Sequence, residues 1–309
     1  MSITAEEVSR LKGLGFLQNR ESDCFSVRIV PEGTLFTAGQ LESIAHLARR
    51  FGCGAVSFTS RQCAEVIGIP YEQTEDAAAF AVEHDLIFGG TGPKIRPITA
   101  CKGTTCIYGN YDTRALSTTL HREYYLGWSG VKLPHKFKIG VGGCPNSCIK
   151  PSLNDLGIEG QRLPLLDISK CMGCKNCQIQ RACPAHAAVV EDGKLSISAA
   201  LCTNCGFCVG KCPFGAVTRE SEVLYRIYVG GTWGKHAHPG VPISQLVTGE
   251  ALPFIIEKIL LWFRENAYTG ERLSQAMART GTSPDALVAN DAVISRKEEI
   301  LSVPLPPPL

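Results

Sequence analysis

The stretch Gly142-Gly143-Cys144-Pro145-Asn146-Ser147-Cys148 places two cysteines, three residues apart, in a turn rich in Gly and Pro. It follows an apolar run, residues 135–141, which we interpret as a strand, so both thiols should lie on one side of a tight loop. Thiolates held in this way are soft ligands that suit an iron–sulfur cluster or zinc. The stretch therefore predicts a metal centre at the end of a strand.

A second pair of cysteines, Cys101 and Cys106, follows another strand-like run at residues 96–100 and would complete a set of four ligands. Between the two pairs lies Lys136-Phe137-Lys138. In a strand, residues two apart project from the same face, so both ammonium groups should lie together. A metal cluster beside clustered cations indicates a redox site for a small anion.

Composition limits the class of protein. A chain of 309 residues that is 44% hydrophobic can bury a sizeable core and should form two or three compact units. Its net charge of +2 gives no field for nucleic acid. No apolar run approaches the roughly 18–20 residues of a membrane span. The N-terminus has no apolar signal core, so we expect a cytoplasmic protein.

Fifteen cysteines are unusual for such a chain. Twelve of them have tight ligand spacings, which favours metal binding over disulfides. One run has the bacterial ferredoxin spacing C-x2-C-x2-C-x3-C-P for [4Fe–4S] clusters: Cys202, Cys205, Cys208 and Cys212. The other run has a last gap that is two residues longer: Cys171, Cys174, Cys177 and Cys183.

In two-cluster ferredoxins the fourth cysteine of each run binds the other cluster. One predicted cluster is therefore held by Cys171, Cys174, Cys177 and Cys212. The second is held by Cys183, Cys202, Cys205 and Cys208. Structural zinc is the alternative, because C-x2-C pairs also form zinc ribbons. As iron–sulfur clusters, the two would relay single electrons and bind no substrate themselves.

The fold class predicted from patterning is α+β. The order β-α-β-β-α between residues 25 and 84, with a capping box at Thr37 and Gln40, is most of a ferredoxin-like split βαβ unit. Regular patterning returns after the cysteine-dense segment, which indicates an insertion. We predict a ferredoxin-like half-domain at residues 1–75 and a metal-binding domain at residues 76–165. A two-cluster ferredoxin insert follows at residues 166–217. Residues 218–309 then return to the metal-binding domain and add C-terminal helices.

Several dispersed motifs occur in the order found in one enzyme family. They are Val27-Arg28, Thr59-Ser60-Arg61-Gln62, Arg96, Leu133-Pro134-His135-Lys136-Phe137-Lys138 and Gly143-Cys144-Pro145-Asn146-Ser147-Cys148. On these motifs the chain resembles the siroheme-dependent sulfite and nitrite reductases. Within that family it is most similar to the anaerobic sulfite reductases, whose small catalytic component carries an inserted two-cluster ferredoxin.

The resemblance implies a six-electron reduction of sulfite to sulfide at siroheme coupled to a [4Fe–4S] cluster, for three clusters in all. It implies that Cys101, Cys106, Cys144 and Cys148 hold this cluster and that Cys148 bridges it to the haem iron. It places Arg96, Lys136 and Lys138 with the substrate and Arg28 and Arg61 near siroheme. Two alternatives stay open: nitrite as the substrate, and a siroheme-free electron-transfer subunit.

The sequence departs from the family in two respects. The first cysteine pair is C-x4-C where the family commonly has C-x5-C, and Gly103 could absorb the difference. One copy of the catalytic unit is present where longer members have two, so the site could need a second copy or a paralogue.

The sequence has no glycine fingerprint for a dinucleotide. We therefore expect separate electron donors, a flavin- or NAD(P)H-dependent reductase and a ferredoxin-like subunit.

Overall fold

In the computed structural model, which describes residues 3–219 and 222–308, the N-terminal part folds around a four-stranded antiparallel sheet. Its elements are α1 Ala5–Gly13, β1 Phe16–Gln18, β2 Cys24–Ile29, α2 Ala38–Phe51, β3 Val56–Phe58, β4 Ala64–Pro70 and α3 Thr74–Glu83. The strand order β1-β2-β4-β3 is that of the predicted ferredoxin-like unit, with the preceding strand β1 in the remaining edge position. The sequence patterning did not predict α1 or β1.

Helix α2 begins at the predicted capping box. The Gln40 N–H donates to Oγ1 of Thr37 at 3.1 Å, and the Thr37 N–H donates to Oε1 of Gln40 at 3.0 Å. The buried face of the helix has the spacing i, i+3, i+4, i+7, and consists of Ile44, Leu47, Ala48 and Phe51. This face packs with the inward-facing residues of β2 and β4 into a core separate from the rest of the chain.

A second sheet begins with short strands. The elements up to its third strand are β5 Thr99–Ala100, α4 Thr113–Leu120, β6 Ile139–Gly142 and β7 Leu156–Gln161, and a π-helical segment His121–Leu126 continues α4. Strands β5 and β6, and β6 and β7, are parallel. The predicted strand at residues 135–141 was wrong at its start, since Lys136 and Lys138 precede β6. Their intervening Phe137 is fully buried and forms an isolated bridge with Ile95.

The cysteine-rich segment forms two small antiparallel sheets. Its elements are β8 Pro164–Leu166, α5 Gln178–Ala182, β9 Ala188–Glu191, β10 Lys194–Ile197 and β11 Val217–Arg219. The pairing of β8 with β11 brings the two ends of the segment together, and β9 pairs with β10. A third core forms inside the segment around Ile179, Leu195 and Val217.

After this segment the chain rejoins the second sheet. The remaining elements are β12 Leu224–Val229, β13 Val241–Pro242, α6 Leu252–Asn266, α7 Leu273–Thr280, α8 Pro284–Val288, α9 Ala292–Ser295 and α10 Lys297–Ser302. Strand β12 pairs antiparallel with β7, which gives the sheet order β13-β12-β7-β6-β5. Helix α6 packs into the core of this sheet. Within the described residues, no helix has the length and apolarity that crossing a membrane requires.

Candidate functional site

Four cysteines meet where the parallel strands β5 and β6 end. Cys101 follows β5 and Cys144 lies just beyond β6, so their loops leave the same edge of the sheet. The backbone N–H of Gly143 donates to Sγ of Cys101 at 3.1 Å. Burial raises the pKa of Cys144, and the nearby thiols of Cys101, Cys148 and Cys106 raise it further. The four cysteines that the resemblance names therefore lie near one another, and their role as cluster ligands stays a prediction.

The shorter first loop depends on Gly103, which begins the 3₁₀ turn Gly103–Thr105. A Cβ at Gly103 would lie 2.5 Å from Cγ2 of Thr113 and 3.3 Å from Cα of Gly143. Oγ1 of Thr113 in turn donates to the Cys101 carbonyl at 2.7 Å. The missing side chain therefore lets the C-x4-C loop lie against the loop that carries Cys144.

The described residues contain no three His, Cys, Asp or Glu side chains close enough to bind one metal ion. Thiolates that share a zinc ion all lie about 2.3 Å from it, so their sulfur atoms are near one another. Each thiolate around a cubane cluster binds a different iron and needs a wider spacing. The choice between a cluster and zinc at the four-cysteine group stays a prediction.

A cavity of about 310 Å³ opens beside Cys148. Cys148 is exposed and borders the cavity together with Lys138 and Arg61. The rest of the lining comes from the N-terminal sheet and from the second sheet with its loops: Ser60, Gln62, Thr99, Ile149, Lys150, Leu153, Asn154 and Trp233. The cavity therefore lies between the two sheets and next to the thiol expected to be the bridge.

Positively charged side chains crowd the neighbourhood of this cavity. Burial lowers the pKa of Lys138 to about 8, and Arg61 and Arg272 lower it further. Burial also lowers the pKa of Lys136, and that of Arg96 to about 10, with Arg272 among the neighbours of both. Cations that disfavour one another's charge in a half-buried site would be stabilised by a bound anion.

Two of these guanidinium groups have unused hydrogen-bond donors. The Nε atoms of Arg96 and Arg272 are buried and have no hydrogen-bond partner among the described residues. A buried donor left unsatisfied costs about 1–3 kcal/mol. Carboxylates of a cofactor or oxygens of a small oxyanion would satisfy such donors. The residues present therefore fit an anionic group.

Arg28 and Arg61 already contact protein groups. Arg28 forms an ion pair with Glu65 at 2.6 Å. Arg61 is half-buried and donates to Asn154 Oδ1 at 3.0 Å, to the Pro97 carbonyl at 3.1 and 2.5 Å, and to the Ile139 carbonyl at 3.1 Å. Arg61 thereby joins the N-terminal sheet to the second sheet at the wall of the cavity. Their contacts with siroheme stay predictions.

The ferredoxin-type cysteines lie in the third core and its loops. Burial raises the pKa of Cys208 to about 11, and the thiols of Cys202, Cys205 and Cys183 raise it further. Cys183 therefore lies near three cysteines of the other run, and the interleaved assignment of the two clusters stays a prediction. Of the remaining four, Cys171, Cys177 and Cys212 belong to the third core, and Cys174 is half-buried.

Models of known families match two regions of the chain. Residues 17–83 match the nitrite/sulfite reductase ferredoxin-like half domain, and residues 91–284 match the nitrite and sulphite reductase 4Fe-4S domain. The second match alone spans more than half of the chain. The chain belongs to the nitrite and sulphite reductase family. The resemblance inferred from the motifs is thus confirmed.

Individual relatives within the nitrite and sulphite reductase family include enzymes named for either substrate. A coenzyme F420-dependent sulfite reductase of Methanocaldococcus jannaschii is 29% identical over 86% of this chain and 42% of its own length. One of the subunits of the anaerobic sulfite reductase of Salmonella typhimurium is 31% identical over 68% of this chain and 65% of its own. An NAD(P)H nitrite reductase of Bacillus subtilis is 23% identical, and the aligned part is 27% of its length. The chain thus spans less than two thirds of each of these proteins.

Solved structures of the same family share the fold. Dissimilatory sulfite reductase I superposes with a TM-score of 0.69 at 22% identity, covering 91% of this chain and 71% of that one. The NirA protein of Mycobacterium tuberculosis superposes with a TM-score of 0.57 at 20% identity, covering 89% and 41%. An α+β fold with a ferredoxin-like half-domain is therefore shown for this family member.

The structure adds site residues that the sequence of this family member did not reveal. Arg272 reaches the predicted substrate cations from the start of α7, and Asp155 holds it there. Lys150 lies 5.4 Å from the ring centroid of Trp233, and both line the cavity. Of Arg272, Lys150 and Trp233, only Trp233 lies in a Gly-rich stretch, which is typical of close approach by a ligand. His135, which belongs to the family motif quoted above, also lies among these cations: burial lowers its pKa to about 4, and Arg272 and Lys136 lower it further.

Proposed function

We propose that this chain is the catalytic component of a siroheme-dependent sulfite reductase that reduces sulfite to sulfide with six electrons. The observation that carries this proposal is one cavity bordered by both Cys148 and Lys138, at the edge of a four-cysteine group. The unpartnered donors of Arg96 and Arg272 support an anionic occupant nearby. Two relatives named as sulfite reductases are 29% and 31% identical over 86% and 68% of this chain, against 23% for the Bacillus subtilis nitrite reductase over 89% of it, which supports sulfite over nitrite.

Four thiolates would hold a [4Fe–4S] cluster in this proposal: Cys101, Cys106, Cys144 and Cys148. Of the four, Cys148 lines the cavity, so we assign it as the bridge to siroheme. Arg28 and Arg61 lie at the siroheme side, with Arg61 fixed by its carbonyl partners. A siroheme–cluster pair bound there would supply the electrons that reduce the anion.

Arg96, Lys136 and Lys138 bind the substrate and handle protons. A guanidinium offers fixed paired donors to an oxyanion, whereas an ammonium offers a mobile charge and a proton. A Lys138 pKa of about 8 lets this group donate a proton near neutral pH and recover it from solvent. Arg96, with a pKa of about 10, stays charged near neutral pH and with Lys136 holds the anion while its oxygen atoms leave as water.

The chain would carry three [4Fe–4S] clusters. We assign residues 166–217 to an inserted two-cluster ferredoxin, residues 1–75 to the half-domain, and residues 76–165 and 218–309 to the siroheme domain. Support for an insertion comes from the pairing of β7 with β12, since the chain leaves the sheet and returns to the neighbouring position. The interleaved position of Cys183 supports ferredoxin-type clusters rather than zinc.

The proposed enzyme works with other subunits. Relatives named as subunits of sulfite reductases support a multi-subunit assembly. We propose a flavin- or NAD(P)H-dependent reductase and a ferredoxin-like subunit as electron donors, and pairing of the catalytic unit with a second copy or a paralogue. A sedimentation measurement that finds a fully active monomer would remove the pairing. Reduced thiolates in such number suit a cytoplasmic location.

Anaerobic isolation followed by metal analysis, absorption spectroscopy and kinetics tests the proposal. We expect iron and acid-labile sulfide, a chlorin-type absorption after siroheme is supplied, and sulfide formed from sulfite with a reduced viologen as donor. Lys138→Gln should abolish most turnover, whereas Lys132→Gln, at an exposed lysine nearby, should leave it unchanged. Brown protein that never acquires the chlorin band would overturn the proposal, and a higher kcat/KM for nitrite would reassign the substrate.

A further inference from the structure

Two aromatic rings join the catalytic cysteine loops to the cysteine-rich segment. The rings of Tyr108 and Phe207 stack with their centroids 5.2 Å apart and an interplanar angle of 23°. Tyr108 lies two residues after Cys106, and Phe207 lies between Cys205 and Cys208. The stacked pair therefore connects a loop of one cysteine group directly to a loop of another.

Backbone contacts hold these two loops in register. The Arg162 N–H donates to the Asn204 carbonyl at 2.8 Å, and Arg162 forms a β-bridge with Cys205. The Asn110 N–H donates to the Gly143 carbonyl at 3.0 Å, and the Asn110 carbonyl accepts from Nη2 of Arg162 at 3.4 Å. Asn110 and Arg162 line one cavity together with Tyr108 and Phe207. A short series of contacts thus runs from the Cys205 loop to the residue before Cys144.

Gly206 allows this close approach. Its φ of +73° lies in the left-handed region, and a Cβ there would lie 2.4 Å from Cδ of Arg162. A side chain at this position would push the ferredoxin-type loop away from Arg162. The junction is therefore built for contact between these two cysteine loops.

We propose that Tyr108 and Phe207 form the electron-transfer contact into the catalytic cluster, and that the donor is the cluster held by Cys183, Cys202, Cys205 and Cys208. The cluster held by Cys171, Cys174, Cys177 and Cys212 is then the outer one, which receives electrons first. This inference rests on the proposed function, because it requires the clusters assigned there.

The step is a one-electron transfer. The inner ferredoxin-type cluster is oxidised by one electron, the catalytic cluster is reduced by one, and no bond forms or breaks. The reductant that starts the sequence is a low-potential one-electron donor, such as a reduced viologen radical or a reduced partner protein. The two rings stay closed-shell and shorten the gap between the cluster loops through their π contact.

Cys171, a ligand of the other proposed cluster, makes different contacts within the described residues. The Cys171 carbonyl accepts from Nζ of Lys194 at 2.8 Å and its Sγ accepts from the Leu195 N–H at 3.3 Å, so both partners lie inside the segment. Phe214 is an exposed ring two residues after Cys212, and in the part of the chain that the structure describes it stacks on no other ring. The outer position of that cluster follows from these contacts.

Tyr108→Leu and Phe207→Leu test the inference, because both positions are partly exposed, at 41% and 37%, and tolerate an apolar replacement. The protein is mixed with a limiting viologen radical and freeze-quenched, and EPR follows the electron from the ferredoxin-type signals to the catalytic cluster. We expect a several-fold slower transfer in both variants at unchanged iron content. Tyr108→Phe keeps the ring, and Phe214→Leu alters the other end of the segment, so both should transfer at the wild-type rate.

The double variant sharpens the test. If the two rings act as one contact, Tyr108→Leu with Phe207→Leu should be no slower than either single variant. Three results would each overturn the inference. The first is a wild-type transfer rate in both leucine variants, and the second is an equally slow transfer in Phe214→Leu. The third is wild-type protein that shows no ferredoxin-type EPR signals. EPR detects the clusters themselves and does not depend on sulfite turnover. Protein that lacks siroheme and sulfite turnover would therefore refute the proposed function, while its EPR signals would still measure this transfer. Normal transfer in Tyr108→Leu with sulfite turnover intact would refute the inference alone.

Discussion

The carboxylate of Asp155 accepts two hydrogen bonds from Nη2 of Arg272, at 2.8 and 2.9 Å, and one from the backbone N–H of Lys138 at 2.9 Å. Asp155 is completely buried. Burial raises its pKa, and Arg272 is the neighbour that most opposes this rise. Because Asp155 precedes β7 and Arg272 precedes α7, the pair ties the C-terminal helices to the segment that carries Lys138. One carboxylate thus positions two cations of the candidate site.

Asp155→Asn should therefore lower stability strongly, because Arg272 would keep a buried charge without its counter-ion. Removing one partner of a buried pair costs about 3–5 kcal/mol, which corresponds to a drop in Tm on the order of 10 °C. Glu265→Gln breaks the more exposed pair with Arg296 and should lower Tm by only about 2 °C. Differential scanning fluorimetry under anaerobic conditions compares the two. Equal shifts would show that Asp155 does not act as a buried counter-ion.

Substrate binding should weaken as pH rises through the pKa of Lys138. Its lowered value of about 8 means that the group is an ammonium at pH 7 and mostly a neutral amine at pH 9. Burial is the main cause of this lowered pKa; Arg61, Arg272 and Lys136 lower it further, and Asp155 opposes them. The KM for sulfite should rise roughly tenfold over that interval if the anion binds the charged form. Carboxylates bound in the cavity would move the midpoint upward without changing the direction.

Lys138→Arg provides the control, because a guanidinium stays charged over the whole interval. Its KM should lack this rise with pH, while Lys132→Arg should reproduce the wild-type profile. A wild-type KM that falls or stays constant between pH 7 and 9 would contradict the role of Lys138 in binding the anion.

Cys183 should share a cluster with Cys205 and not with Cys174. The reason is the position of Cys183 among the thiols that raise the pKa of Cys208. EPR of the reduced protein should show the same ferredoxin-type signal lost in Cys183→Ser and in Cys205→Ser. Cys174→Ser should remove the other signal. Loss of the same signal in Cys183→Ser and Cys174→Ser would reverse the assignment.

Local patterns were predictable from sequence, and long-range packing was not. The capping box at Thr37 formed as predicted because its hydrogen bonds join residues three apart. Strand β6 begins at Ile139 and not at residue 135 as predicted, because the residues before it pair only through one isolated bridge, between Phe137 and Ile95. Arg272 gave no signal, since its position depends on a carboxylate that lies far away in the sequence and on the packing of α7. Only the folded chain shows that Arg272 and Lys138 share Asp155.

Replacing Cys148 should remove the proposed bridge between the catalytic [4Fe–4S] cluster and siroheme. It is exposed to the cavity, while Cys101 receives the Gly143 N–H and lies farther inside. Cys148→Ser should lose the magnetic coupling between cluster and siroheme and most sulfite turnover. Cys53→Ser removes another exposed thiol that lacks ligand spacing, so it should leave both properties unchanged. Full turnover in Cys148→Ser would move the bridge to another cysteine, and equal losses in both variants would point to general thiol damage instead.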